Sequence, residues 1–325
     1  GGCLWHSFDH QRGYHPDPFY GGLMDVFRQP KYSYYMFQAQ RSPKKQDRLF
    51  ETGPMVYIAH EMTPFSPKDV TVYSNCDEVR LTYNKGGKSL TYTKPVSREG
   101  MPSPIITFKD VYNFMIDKNM SMKEGRQKEV FLLAEGLING KVVATHKVCP
   151  ARRPSKLLLW IDNENTELKA DGSDFVTVIA AIADKNGNIK RLNNYYVKFH
   201  IEGEGRILGG ANVLANPAPV KWGTAPILVQ STLKPGKIKI TASVLFEGSQ
   251  MPVSAELELE SKPSAYPLIY ASEEAALIPM KSDSQSFPIT AKSQKELEKE
   301  KAVKEQNERK LKEVEQQQAD FGEKK

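Results

Sequence analysis

The residues of this chain best equipped for chemistry crowd into its opening stretch. Trp5, His6, Asp9 and His10 sit almost side by side, and Tyr14, His15, Asp17, Phe19 and Tyr20 follow closely. An indole offers a flat apolar face, suited either to stacking on a ligand ring or to burial in a core. Asp9 can accept hydrogen bonds from ligand hydroxyls or brace its own loop. His6 and His10 flank Ser7 and Phe8 and have no acid partner at a defined spacing, so they read as loop hydrogen-bonders rather than as a catalytic base. His6, His10 and His15 with Asp9 and Asp17 match no recognised ligand spacing, and Pro16 and Pro18 stiffen the loop between them, so no metal centre is expected.

The elements that must position these side chains can be read next. Cys3 to Phe8 predicts a short strand bounded by Gly1-Gly2 and a polar loop. Pro30 falls where a first helical residue belongs, and Tyr32 to Arg41 predicts an aromatic helix. Strand, long loop and helix make one βα step. Such a step alone exposes strand edges and an apolar face, so the sequence is expected to be the C-terminal portion of something longer. Arg41 to Pro54 reads as a linker.

Beyond it the pattern becomes period two. Strands are expected at Val56 to Ala59, Val70 to Ser74, Glu78 to Tyr83, Ser89 to Tyr92, Ile105 to Phe108, Glu129 to Leu133 and Val142 to Val148, the last two joined by Asn139-Gly140. That spacing predicts a β-sandwich. After Pro150 to Pro154, strands resume at Leu157 to Ile161, Phe175 to Ala183, Tyr195 to Ile201, Ile227 to Gln230, Ile238 to Leu245 and Ala255 to Glu260, a second sandwich with a turn at Asp184 to Asn188. Trp160 and Trp222 are core candidates, Trp222 being a carbohydrate contact if exposed. Gly203 to Gly210 has a dinucleotide-loop look, but its glycine spacing is too long and no helix follows, so a sandwich loop is expected. From Ser261 periodicity is lost, and Ser293-Gln294-Lys295-Glu296 forms a capping box ahead of a charged, solvated helix.

Composition narrows the class. A net charge of +6 with Lys and Arg scattered among Asp and Glu does not suggest nucleic acid. No apolar run approaches the ~18 residues of a membrane span. Cys3, Cys76 and Cys149 cannot all pair and have no zinc-type spacing, so each reads as a small buried hydrophobe.

Trp5, Asp9, Gly22-Leu23-Met24-Asp25 and Arg28-Gln29-Pro30-Lys31 before an aromatic helix resemble the last βα unit of the (β/α)8 barrel in family 2 glycoside hydrolases, the β-galactosidase group. Val72 to Leu81 with Asn84 and Gly87-Lys88-Ser89-Leu90 resembles a hairpin of the immunoglobulin-like domains that follow the barrel. Ala170 to Val176, Asp184-Lys185-Asn186-Gly187 and Ile201 to Gly205 resemble the next such domain. The resemblance implies a mainly β chain with four parts: residues 1–45 the last barrel unit, 46–153 and 154–262 two immunoglobulin-like sandwiches, and 263–325 a connector and helical tail.

It also implies a site. Trp5 would stack on the sugar ring, with Asp9, His6 and His10 around it, while Asp25, Arg28 and Lys31 would close the barrel through an ion-pair network. Retaining hydrolysis needs two carboxyl groups ~5–5.5 Å apart. The family's two glutamates stand on earlier barrel strands, so this chain is expected to hold part of the sugar site, no catalytic residue, no cofactor and no metal, and to be inactive alone. β-Glucuronidases carry Asn-x-Lys where this chain has Phe19-Tyr20-Gly21, so a neutral β-hexoside is expected rather than a uronate. The expected partners are that carbohydrate and the N-terminal remainder of the polypeptide, in the periplasm or outside the cell. The alternative is a non-catalytic immunoglobulin-like surface, adhesin or carbohydrate-binding protein.

Overall fold

The computed structural model describes residues 6–11, 18–45, 52–85, 89–96, 103, 105–115, 118, 130–162, 167–245 and 251–265. Cys3 to Trp5, half of the stretch expected as a strand, Gly86 to Lys88, and the residues expected to form the C-terminal helix lie outside them.

The first sandwich forms because alternate residues of its strands are apolar. β1 (Val56–Ala59), β2 (Val70–Ser74) and β5 (Ile106–Phe108) make one sheet. β3 (Glu78–Lys85), β4 (Ser89–Pro95), β6 (Val130–Ile138) and β7 (Lys141–Val148) make the other, in the order β4-β3-β6-β7. On β3 the residues Val79, Leu81 and Tyr83 are wholly buried, and Ile58, Val72, Phe108 and Leu132 meet them in one core. The outward residues pair across the sheet: Arg80 faces Glu135, and its Nε donates to Oε2 at 2.7 Å. Asn139 and Gly140 both take positive φ, the conformation that a tight β6–β7 turn needs.

Ser74 and Asn75 show why that hairpin signature reads as it does. Ser74 Oγ donates to the Met55 carbonyl at 2.8 Å and receives the Cys76 N–H at 3.1 Å. Buried Asn75 accepts the Met55 N–H and donates to the Gly53 and Arg41 carbonyls, which ties the linker to the sheet. Cys76 is buried against Gly136, as read, whereas Cys149 is only half-buried.

In the second sandwich, β8 (Lys156–Ile161), β10 (Phe175–Ala183), β12 (Gly205–Ile207) and β14 (Thr224–Ser231) form one sheet. β9 (Leu168–Ala170), β11 (Tyr196–Gly203), β13 (Ala218–Pro219), β15 (Gly236–Leu245) and β16 (Ala255–Pro263) form the other, in the order β13-β11-β15-β16-β9. β10 is central, and Val178 through Ala183 are buried without a break. Asp184 ends it. Its Oδ1 accepts the N–H groups of Asn186 and Asn188, and its Oδ2 those of Arg152 and the Asn188 side chain, all within 3.1 Å. The Gly203 to Gly210 stretch is no phosphate cradle: Gly203 has φ +91 and a Cβ there would strike the Lys237 carbonyl, after which β12 takes the sheet edge.

The N-terminal segment differs from its expectation. Its described part holds no strand but isolated bridges, Phe8 with Met24, His10 with Phe19 and Met24 with Pro30. α1 spans Tyr32–Gln38 with Lys31 as its N-cap, so Pro30 precedes the helix rather than starting it, and α1 itself buries no residue. The Trp pair departs as well. Trp160 is half-buried and Trp222 is 55% exposed, because Trp222 sits in a two-residue turn rather than on an inward strand position.

Candidate functional site

The sequence placed Asp9, His6 and His10 together, and the structure brings them to one loop. Asp9 is buried; its Oδ1 accepts the Gly22 N–H at 3.0 Å and the Lys31 ammonium at 2.6 Å. Gly22 is required there, since a Cβ would run into the Phe8–Asp9 backbone. The imidazoles of His6 and His10 lie 4.3 Å apart, each about 5.4 Å or less from the Phe19 ring. Lys31 also donates to the Tyr20 carbonyl.

Asp25, Arg28 and Lys31 form no ion pair with one another, though the Arg28 N–H donates to the Asp25 carbonyl at 3.0 Å. Asp25 Oδ1 accepts the Phe27 and Gln29 N–H groups, and its Oδ2 takes the Gln29 side-chain amide, closing a turn in which Arg28 has φ +65. The Arg28 guanidinium lies 5.3 Å from the Phe8 ring centroid. The described N-terminal loops are thus held by backbone bonds, by side-chain bonds from Asp9 and Asp25, and by the Asp9–Lys31 ion pair, whose carboxylate is buried.

Alongside them opens a cleft of about 750 Å³, lined by the N-terminal segment, the end of β1, and the second sandwich. Glu61 is among its lining residues. The Tyr32 hydroxyl donates to Glu61 Oε1 at 2.8 Å, Arg191 Nε donates to Oε2 at 3.1 Å, and Arg191 Nη1 donates to the Trp222 carbonyl at 3.1 Å. Burial first, then the Glu61 charge and hydrogen bond, push the Tyr32 hydroxyl far above the ordinary phenol range, so it remains a donor. Burial and then the Tyr35 and Glu61 neighbours push Tyr57 up in the same way. Tyr57 is stacked between Tyr35 at 3.6 Å and His146 at 4.4 Å. His146 Nδ1 accepts the Ile58 N–H at 3.0 Å, and burial lowers its basicity, so the ring is neutral.

Trp222 lines the cleft from the second sandwich. Lys221 and Thr224 exchange both backbone hydrogen bonds around Trp222 (φ +51) and Gly223 (φ +84), and a Cβ on Gly223 would press on Ile189 and the Lys190 carbonyl. Sequence reading missed the Glu61–Arg191 contact because the partners stand 130 positions apart. The only local signal was the bulky residue before Gly223.

A family model for "Glycoside hydrolase family 2 C-terminal domain 5" matches residues 159–245, most of the second sandwich. The chain is similar to a β-galactosidase of Thermoanaerobacter pseudethanolicus, 32% identical over 262 residues that make up 78% of this chain and 33% of that one. It shares its fold with a β-glycosidase from Bacteroides vulgatus, TM-score 0.59 at 24% identity, over 79% of this chain and 30% of that one. It does so also with a β-glucuronidase from glycoside hydrolase family 2, TM-score 0.55 at 22% identity, over 77% of this chain and 24% of that one. These likenesses fit a C-terminal fragment of a family 2 glycoside hydrolase. The chain spans a third or less of the length of the first curated relatives it matches.

Proposed function

We propose that this chain is the C-terminal region of a retaining exo-glycosidase that hydrolyses β-galactoside-type bonds. The observation that carries the reading is the 32% identity to a β-galactosidase over 262 residues, which includes sequence outside the matched C-terminal domain. In this reading residues 1–45 complete a (β/α)8 barrel supplied by the rest of the parent polypeptide. Two features support that: Phe8 and Met24 are bridged rather than sheeted, and Phe8 and Phe37 are exposed.

Trp5 stacks on the sugar ring, and Asp9 and Lys31 fix the loop behind it. The glutamate pair that performs the double displacement belongs to the remainder of the parent, in the periplasm or outside the cell. Phe19-Tyr20-Gly21 offers no cation for a carboxylate, which favours a neutral hexoside. The test is hydrolysis of chromogenic β-galactosides by the intact parent and by residues 1–325 alone. Turnover is expected only from the parent, reduced by about a hundredfold or more in Trp5→Ala as a positioning contact is lost. Turnover by the isolated chain, or an unaffected Trp5→Ala parent, refutes the assignment.

A further inference from the structure

We infer that the cleft between the N-terminal segment and the second sandwich binds a neutral saccharide, with Trp222 as its stacking platform. This rests on the carbohydrate class of the function proposed above, but on different residues. An aromatic residue in the left-handed region is uncommon and strained, and such strain persists where the surroundings hold it. Here they do: the Lys221–Thr224 bonds close the turn, Gly223 packs against Ile189, and Arg191 holds the Trp222 carbonyl. The result is a large ring kept 55% exposed on the wall of a cleft of about 750 Å³, a size suited to a small ligand.

The polar lining decides the ligand's chemistry. Asp9, Asp25 and Glu61 are matched by Lys31, Arg191 and Lys221, three carboxylates to three cations. Asp9 is paired with Lys31 and Glu61 with Arg191, and Asp25 offsets the remaining Lys221 in charge, so the lining carries no net positive charge to draw a uronate or a phosphate. What the groups still offer is hydrogen bonding of both senses. Arg191 commits Nε and Nη1 and has further N–H donors, while each Glu61 oxygen has a second lone pair. An apolar face beside mixed donors and acceptors is complementary to a pyranose, which has an apolar C–H face and a rim of hydroxyls.

The experiment is titration of the full 325-residue chain with galactobiose, and with digalacturonate as the anionic counterpart, read by tryptophan fluorescence and calorimetry. Trp222→Asn is the informative variant because Asn tolerates the left-handed backbone, which keeps the turn intact. Saturable galactobiose binding is expected, weakened by about tenfold or more in Trp222→Asn, since truncating a central aromatic contact costs at least that much. Trp222→Tyr is expected to keep most of the affinity. Absence of saturable galactobiose binding, wild-type affinity in Trp222→Asn, or tighter binding of digalacturonate overturns the inference. The readout is binding by the chain alone. A parent that fails to hydrolyse galactosides therefore sinks the glycosidase reading and leaves this one standing, and the converse also holds.

Discussion

Removing Glu61 is expected to uncouple the three parts of the chain that meet at the cleft. Its two oxygens serve α1 through Tyr32 and the second sandwich through Arg191. A charge-assisted hydrogen bond contributes ~1.5–3 kcal/mol when shielded. Glu61 and Arg191 retain 18% and 26% side-chain exposure, so the lower end, about 1.5 kcal/mol, applies to their pair. Leaving the Tyr32 hydroxyl without its acceptor adds about 1 kcal/mol. Glu61→Ala should therefore cost about 2 kcal/mol or slightly more in urea unfolding. In a double-mutant cycle with Arg191→Ala the coupling should be about 1 kcal/mol, clearly above the ~0.3–0.5 kcal/mol scatter of independent sites. Because the pair is mostly shielded from solvent, the coupling should largely survive a rise in salt. Additive single variants, or a Glu61→Ala protein within about 0.5 kcal/mol of wild type, refute the claim that this carboxylate joins the parts.

Gly22→Ala should loosen the loop that carries Asp9, because the new methyl group must displace the Phe8–Asp9 backbone and break the Gly22 N–H bond to Asp9. Faster amide exchange over residues 18–31, with the second sandwich unchanged, is the expected pattern, and unaltered exchange refutes it. Asp184 supplies a pH dependence. Burial alone would raise its carboxyl pKa, but the N–H groups of Arg152, Asn188 and Asn186 outweigh that and hold it below the usual carboxylate range. The folded value is depressed, so this stability is fully present above the unfolded pKa of about 3.9 and is lost as pH falls through the folded one. Asp184→Asn should be less stable at neutral pH and flatter in its acid limb; equal slopes below about pH 4 in acid titrations of both proteins refute the assignment.

Both sandwiches were legible in the sequence because an alternating strand writes its buried face in every second residue, as Val79, Leu81 and Tyr83 do on β3. Asn139-Gly140 and Asp184 to Asn188 were legible for the same local reason, since turn chemistry lies within five residues. β9, β12 and β13 were not. Leu168–Ala170, Gly205–Ile207 and Ala218–Pro219 are too short to show a period, and they are strands only because β16, β14 and β11 lie beside them. The candidate site divides along the same line. Asp9 was legible, though its commitment to Gly22 and Lys31 was not. Glu61, Arg191 and Trp222 meet only through the packing of separate parts, and their roles depend on contacts that no window of residues contains. The Pro30 reading failed by two positions because Pro30 bridges Met24, leaving Lys31 to cap α1.

The parallel pairing of Ser261, Lys262 and Pro263 with Leu168, Lys169 and Ala170 fastens the last strand of the second sandwich to one of its earliest. During synthesis on the ribosome, β15 and β9 wait with open edges until β16 emerges, and the nascent chain must close a loop of roughly ninety residues to seal them. That delay makes the second sandwich a late, all-at-once folding event, dependent on a strand made after almost everything it secures. A ribosome stalled before Ala255 would hold a chain with two unsatisfied sheet borders, the kind of surface that recruits chaperones or other nascent chains.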